Sequence, residues 1–183
     1  MQGSKQMERQ VFARAAHGHS MRFGSPFAAA IGALVTALLL MGCAGARPTG
    51  LGSTDGRLGT CPVSPNCVTS NPIEASDDQH SIAPLEVRGD PLVAWRELVL
   101  LLESTPRVTI VSKEHDYVHA EFTTLLMRYV DDVEFMQDRS AGTIAVRSAS
   151  RVGRSDLGAN RKRVEWVRQE LAGRGVVAPT ESD

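Results

Sequence analysis

Arg147-Ser148-Ala149-Ser150-Arg151, followed closely by Ser155, Asp156, Asn160 and Arg161, is the densest set of anion-handling groups in the chain. Guanidinium groups hold carboxylates and phosphates through paired hydrogen bonds, and nearby hydroxyls complete such a shell. The segment leaves an alternating, strand-like stretch, crosses small residues and enters a helical one. Free backbone N–H groups and the positive end of a helix dipole would also favour an anion there. A second reading uses the same residues as a structural clamp. Asp131 shares its alternation with Tyr129, Val133 and Phe135, so it points inward and needs a partner. Arg147 and Arg151 would then pair with Asp131 or Asp132, and Ser155 would only cap the helix. An anion site and an internal clamp both fit these residues.

Cys43 carries a different chemistry. It follows Leu40-Met41-Gly42 at the end of the one long apolar run, Phe27 to Met41, which starts after Arg22. About fifteen apolar positions suit a signal-peptide h-region and are too few to span a bilayer with its flanks. A small residue followed by cysteine at the end of such a run resembles a bacterial lipobox. That resemblance implies a lipoprotein signal over residues 1–43, lipidation of the Cys43 sulfur, and a membrane-anchored protein of the cell envelope. Met21 is the alternative start, because Met21-Arg22 gives a signal of ordinary length. An uncut N-terminal anchor is the alternative to lipidation. Either way the remainder lies outside the cytoplasm, facing the periplasm. Ala44 stands where an inner-membrane retention signal usually places Asp, so the outer membrane is expected over the inner one.

Residues 1–43 carry Lys5, Arg9, Arg14 and Arg22 against Glu8, a net of +3, while the whole chain is −1, which leaves −4 for residues 44–183. Such a mildly acidic domain is not expected to bind nucleic acid. About 140 residues are enough for one domain. In an oxidising compartment Cys61 and Cys67 form an even pair, and Pro62 and Pro65 stiffen the turn between them. A disulfide is therefore expected, adding about 2 kcal/mol for so short a loop. A metal site using both thiolates and His80 lacks the zinc-knuckle spacing and a fourth ligand, so neither metal nor cofactor is expected.

Residues 44–60 are rich in Gly, Ser, Thr and Pro and read as a flexible tether; residues 61–174 read as a single domain, and 175–183 as a disordered tail. Asp90-Pro91 starts a helix, with Leu92, Trp95, Val99 and Leu102 at helical spacing. Four strand-like runs follow: Arg107 to Ser112, Tyr117 to Phe122, Arg128 to Met136, and Gly142 to Arg147. Their period-two alternation and short connections predict an antiparallel meander with one buried and one wet face. A second helix, capped by Ser155 or Asp156, carries Leu157, Val164, Val167 and Leu171 and stops at Gly173. The expected fold class is α+β: a four-stranded antiparallel meander with two helices on one face.

Between Glu114 and Asp138 seven acids face only Arg128, whereas Arg147 to Arg174 holds eight bases against Asp156, Glu165 and Glu170. Neighbouring elements of opposite sign predict intramolecular pairing. The wet face would present Tyr117, His119, Glu121, Arg128, Asp132, Glu134 and Arg147, an ordinary solvated face rather than an acid–base or metal site. No Ser-His-Asp order, nucleophile elbow, phosphate loop or dinucleotide fingerprint is present.

Four segments together carry a family resemblance. They are Cys61-Pro62-Val63-Ser64-Pro65-Asn66-Cys67-Val68, Tyr117 to Phe122, Arg128 to Phe135, and Arg147 to Arg161. In this order, across residues 60–172, they resemble the family called domain of unknown function 1499. Its members include bacterial lipoproteins and membrane proteins, and it brings no established activity or catalytic residue. Arg154 departs from the family, which often has an aromatic residue there. The expected function is a lipid-anchored, non-catalytic binding or structural module of the envelope. Its partners would be the membrane, through the lipid, and a small anionic ligand or an envelope protein. The alternative is a hydrolase-like envelope enzyme using the polar sheet face.

Overall fold

In a computed structural model, residues 45–179 are described. Cys43 and the signal segment lie outside them, as do residues 180–183. The main sheet is antiparallel and six-stranded. Its centre is the expected meander: β5 (Val108–Lys113), β6 (Tyr117–Thr123), β7 (Val130–Asp138) and β8 (Thr143–Ser150). Two further strands, β3 (Cys67–Thr69) and β4 (Leu85–Glu86), pair side by side along the outer edge of β8. The four-stranded expectation is corrected to six because these strands span only three and two residues. That is too short for alternation to register in sequence.

Asp90 accepts a hydrogen bond from Leu92 N–H at 2.8 Å and starts α1 (Pro91–Ser104). Its buried stripe is Ala94, Trp95, Leu98, Leu101 and Leu102; Leu92 is exposed and Val99 half-buried. In α2 (Ala159–Gly173), Val164, Val167 and Leu171 are buried as expected, but Leu157 precedes the helix and is 88% exposed. Both helices cover one face of the sheet, where Val118, Ala120, Val133, Phe135, Ile144 and Val146 form the core with them. Tyr129, expected inside with Val133, precedes β7 and is exposed. Arg128 also precedes β7, in a left-handed turn at φ 56°.

The opposite face is not wet. His119, Asp132 and Glu134 are buried, and so is Tyr117. Residues 45–60, read as a tether, contact this face and supply its cover. A small hairpin of β1 (Ser53–Thr54) and β2 (Arg57–Leu58) places Leu58 against Tyr117 and Met136. Arg47 and the Gly52 N–H reach carboxylates of the sheet. Composition hid this role because the segment has few apolar residues, and the contacts are mostly polar.

The end of the chain also differs from its reading as a disordered tail. Val176 and Val177 are buried in the main core. Arg88 N–H donates to Val176 O at 2.9 Å, and Ala178 N–H donates to Glu86 O at 2.8 Å.

Candidate functional site

The antiparallel register places Glu121 beside Asp132, His119 beside Glu134, and Glu134 beside Arg147. Three carboxylates from β6 and β7 thus share one face, with Arg147 of β8 beside them. Left unpaired at this depth they would be costly. Each instead has defined partners.

Arg151 donates from Nε to Asp132 Oδ2 at 2.8 Å and from Nη2 to Asp132 Oδ1 at 2.7 Å. His119 Nε2 lies 2.7 Å from the same Oδ1. Burial pushes the Asp132 carboxyl up, but the Arg151 and His119 hydrogen bonds outweigh it and hold the group down at about 2. Arg151 also reaches Glu121 Oε1 at 2.5 Å, where Arg47 donates from Nε at 2.8 Å. Burial opposes ionisation of Glu121, yet these two arginines keep its carboxyl below the usual range. Glu134 accepts from Gly52 N–H at 2.7 Å, Tyr117 Oη at 2.9 Å and Arg147 Nη1 at 3.1 Å. Burial, reinforced by the Glu134 charge and hydrogen bond, raises the Tyr117 phenol, so Tyr117 remains a donor. Arg147 completes its contacts at Thr60 O, 3.2 Å away.

Asp131 belongs to the other face, as its alternation predicts. Its partner is neither Arg147 nor Arg151 but Arg163, one helical turn into α2. Arg163 also donates to Asn160 Oδ1 at 2.6 Å and Ser148 Oγ at 3.0 Å, and its guanidinium lies 5.2 Å from the centre of the Phe122 ring. Asn160 is fully buried and holds four segments together. It accepts from Ser148 Oγ at 2.7 Å. Its side-chain amide nitrogen lies 2.8 Å from Asn66 O, 2.9 Å from Ser150 Oγ and 2.8 Å from Asp156 Oδ2, three acceptors sharing its two hydrogens. Asp156 caps the start of α2 by accepting from Asn160 N–H at 2.7 Å. Ser155 is exposed and does not bond to the helix's first turns. Arg161 turns away to the carbonyls of Asp78, Gln79 and Ser81, the last at 2.7 Å.

The ten residues first read as one cluster therefore divide. Arg147, Arg151 and Asp132 serve the face covered by residues 45–60. Ser148, Ser150, Asp156, Asn160 and Asp131 serve the α2 side, while Ser155 and Arg161 join neither set. Arg47 was not singled out from sequence. Arg163 closes the basic segment that begins at Arg147, and Asn66 lies in the cysteine segment, but neither was assigned a partner; Arg163 left a further signal, lying three residues after Asn160 and so on the same helical face.

Cys61 and Cys67 form a disulfide, with Cα atoms 5.6 Å apart. The pairing of both cysteines with His80 at a metal is therefore excluded in this form. His80 instead lies with Glu74 and Asp77, and the three offer ligand atoms within 4.8 Å of one another. Both imidazole nitrogens are engaged, Nδ1 with Asp77 at 2.7 Å and Nε2 with Ser64 O at 3.2 Å. The Asp77 hydrogen bond raises the His80 pKa despite burial. Both ring nitrogens face acceptor oxygens, so when His80 is protonated its own charge lies in this cluster.

Among the described residues, no buried side-chain nitrogen or oxygen lacks a hydrogen-bond partner. A family model described as "Protein of unknown function (DUF1499)" matches residues 57–171. The chain belongs to this family. The matched span contains the disulfide, both ion-pair systems and nearly all of α2, but not Arg47 or Gly52. No curated protein and no solved structure matches the chain.

Proposed function

We propose that the chain is a lipid-anchored, non-catalytic module of the cell envelope, and that the arginine–carboxylate system is its internal clamp. One observation carries the non-catalytic reading. Asp132 and Glu134 are each about 1% exposed, and their oxygens are already occupied by Arg151, His119, Arg147, Tyr117 and the Gly52 N–H. A general acid or base must reach the proton it transfers. The hydrolase alternative would require the cover formed by residues 45–60 to leave. An anion site at Arg147 and Arg151 would require displacing two buried carboxylates.

Anchoring rests on Leu40-Met41-Gly42-Cys43 after its apolar run. The proposed location is the periplasmic side of a membrane, the outer one where the host has two. No described helix is long and apolar enough to cross a membrane. Labelling cells with a radioactive fatty acid tests the anchor. Incorporation should occur in the wild type and vanish in Cys43→Ser, which should accumulate as precursor. Equal labelling of both would overturn the lipoprotein reading.

A further inference from the structure

We infer that the β6–β7 hairpin tip and the loop before α2 form a membrane-contact patch that seats the domain on an anionic phospholipid surface. Leu125, Leu126 and Met127 occupy the tip and are 66%, 87% and 56% exposed; Leu157 is 88% exposed. Isolated exposed leucines need no explanation, but a cluster of large ones marks an interaction surface.

These residues share one end of the fold. Thr124 and Tyr129 close the tip through Thr124 N–H to Tyr129 O and Tyr129 N–H to Thr124 Oγ1, both 2.9 Å. Thr124, Tyr129, Val152 and Leu157 then line a single cavity of about 400 Å³. In an antiparallel meander the other two hairpin turns lie at the opposite end. Those turns are polar: Glu114-His115-Asp116 and Arg139-Ser140. Only the β6–β7 tip reads Leu-Leu-Met-Arg.

The start of the described chain identifies the occupant. A Cβ on Gly45 would come within 2.9 Å of Arg151 Cβ and Val152 Cγ1. The chain therefore enters the domain against Val152, on the rim of the same cavity. Only Ala44 separates Gly45 from Cys43, two Cα steps and a reach of roughly 7 Å at most. This step rests on the proposed lipid anchor: a lipid on Cys43 would hold that rim within the depth of the headgroup layer. So short a leash makes the bilayer, rather than a separate protein, the surface this end of the fold meets. Arg128 and Arg154, both exposed on the flanking turns, supply the positive charge that anionic headgroups favour.

The test uses full-length lipidated protein in vesicles of phosphatidylethanolamine and phosphatidylglycerol. Leu126→Cys and, at the opposite end, Ser140→Cys each carry a fluorophore; Cys61 and Cys67 are already paired. Flotation reports anchoring, and quenching by headgroup-level nitroxide lipids reports depth. The inference expects co-flotation, with quenching at least about threefold stronger at 126 than at 140, since interfacial apolar groups sit only 5–10 Å deep. Co-flotation with equal quenching would overturn the patch and leave the anchor standing. Weak lipid quenching at 126 combined with protection from aqueous iodide would mean a protein covers the tip, and would also overturn it. Failure of the wild type to float would overturn the anchor and the patch together.

Discussion

Arg151 grips Asp132 through two hydrogen bonds, Nε to Oδ2 at 2.8 Å and Nη2 to Oδ1 at 2.7 Å. The pair joins the residue just after β8 to the first part of β7, on the face covered by residues 45–60. Asp132 is 1% exposed, so the pair is judged by what remains when one member is removed. A buried ion pair adds little net stability, but a lone buried charge is strongly destabilising.

Arg151→Ala should therefore lower unfolding stability by roughly 3–5 kcal/mol, in the range for a buried carboxylate losing its partner. Arg151→Lys should recover only part, because an ammonium does not reproduce the two-pronged geometry. Arg47→Ala removes a partner of Glu121 whose own side chain is 54% exposed, and should cost at most about 1 kcal/mol. Urea denaturation of the three variants checks the order. Equal losses for Arg151→Ala and Arg47→Ala would refute the clamp.

Acid should weaken the same pair. The folded Asp132 value, about 2, lies below its ordinary value of 3.8. Its contribution is therefore complete above pH 4 and lost as pH falls from there towards 2. Glu121 is shifted in the same direction. Asp132→Asn should flatten the acid limb of the stability–pH curve. An unchanged slope in that variant would place the acid sensitivity elsewhere.

His80 should act in the opposite sense. Its folded pKa is raised above the ordinary 6.5 by Asp77. Its contribution is complete below pH 6.5 and disappears as pH rises through the higher folded value. Thermal melts stepped upward from pH 6 should show a decline that His80→Gln removes. Titration of the His80 ring signals by NMR checks the direction. A midpoint below 6.5 would contradict the ion pair with Asp77.

The sequence made the central meander and both helices legible because each spans enough residues for its apolar period to repeat. It placed Asp131 inward for the same reason. It misassigned the opposite face because alternation distinguishes two faces but not what covers each. The cover comes from residues 45–60, where one buried leucine, Leu58, and several polar contacts replace an apolar pattern. Partner choice was legible only in part: Arg151 with Asp132 is among the expected pairings, whereas Arg147 with Glu134 and Arg163 with Asp131 are not. Strand register brings Arg147 beside Glu134, and the reach of the post-strand loop gives Asp132 to Arg151. That leaves Asp131, on the other face, to Arg163 of α2.

Arg163 provides the final test, because it ties the helix side of the sheet together. It pairs with Asp131, donates to Asn160 and Ser148, and lies over Phe122. Arg163→Met keeps much of the volume and the contact with Phe122 but leaves Asp131, 4% exposed, without its cation. The loss should be several kcal/mol, roughly 3–5 by the rule for broken buried pairs. Adding Asp131→Asn to Arg163→Met removes the stranded charge, so the double variant should be more stable than Arg163→Met alone. A double-mutant cycle by chemical denaturation measures this coupling. Additive losses would show that Arg163 holds α2 through Asn160, Ser148 and Phe122, and that its contact with Asp131 contributes nothing.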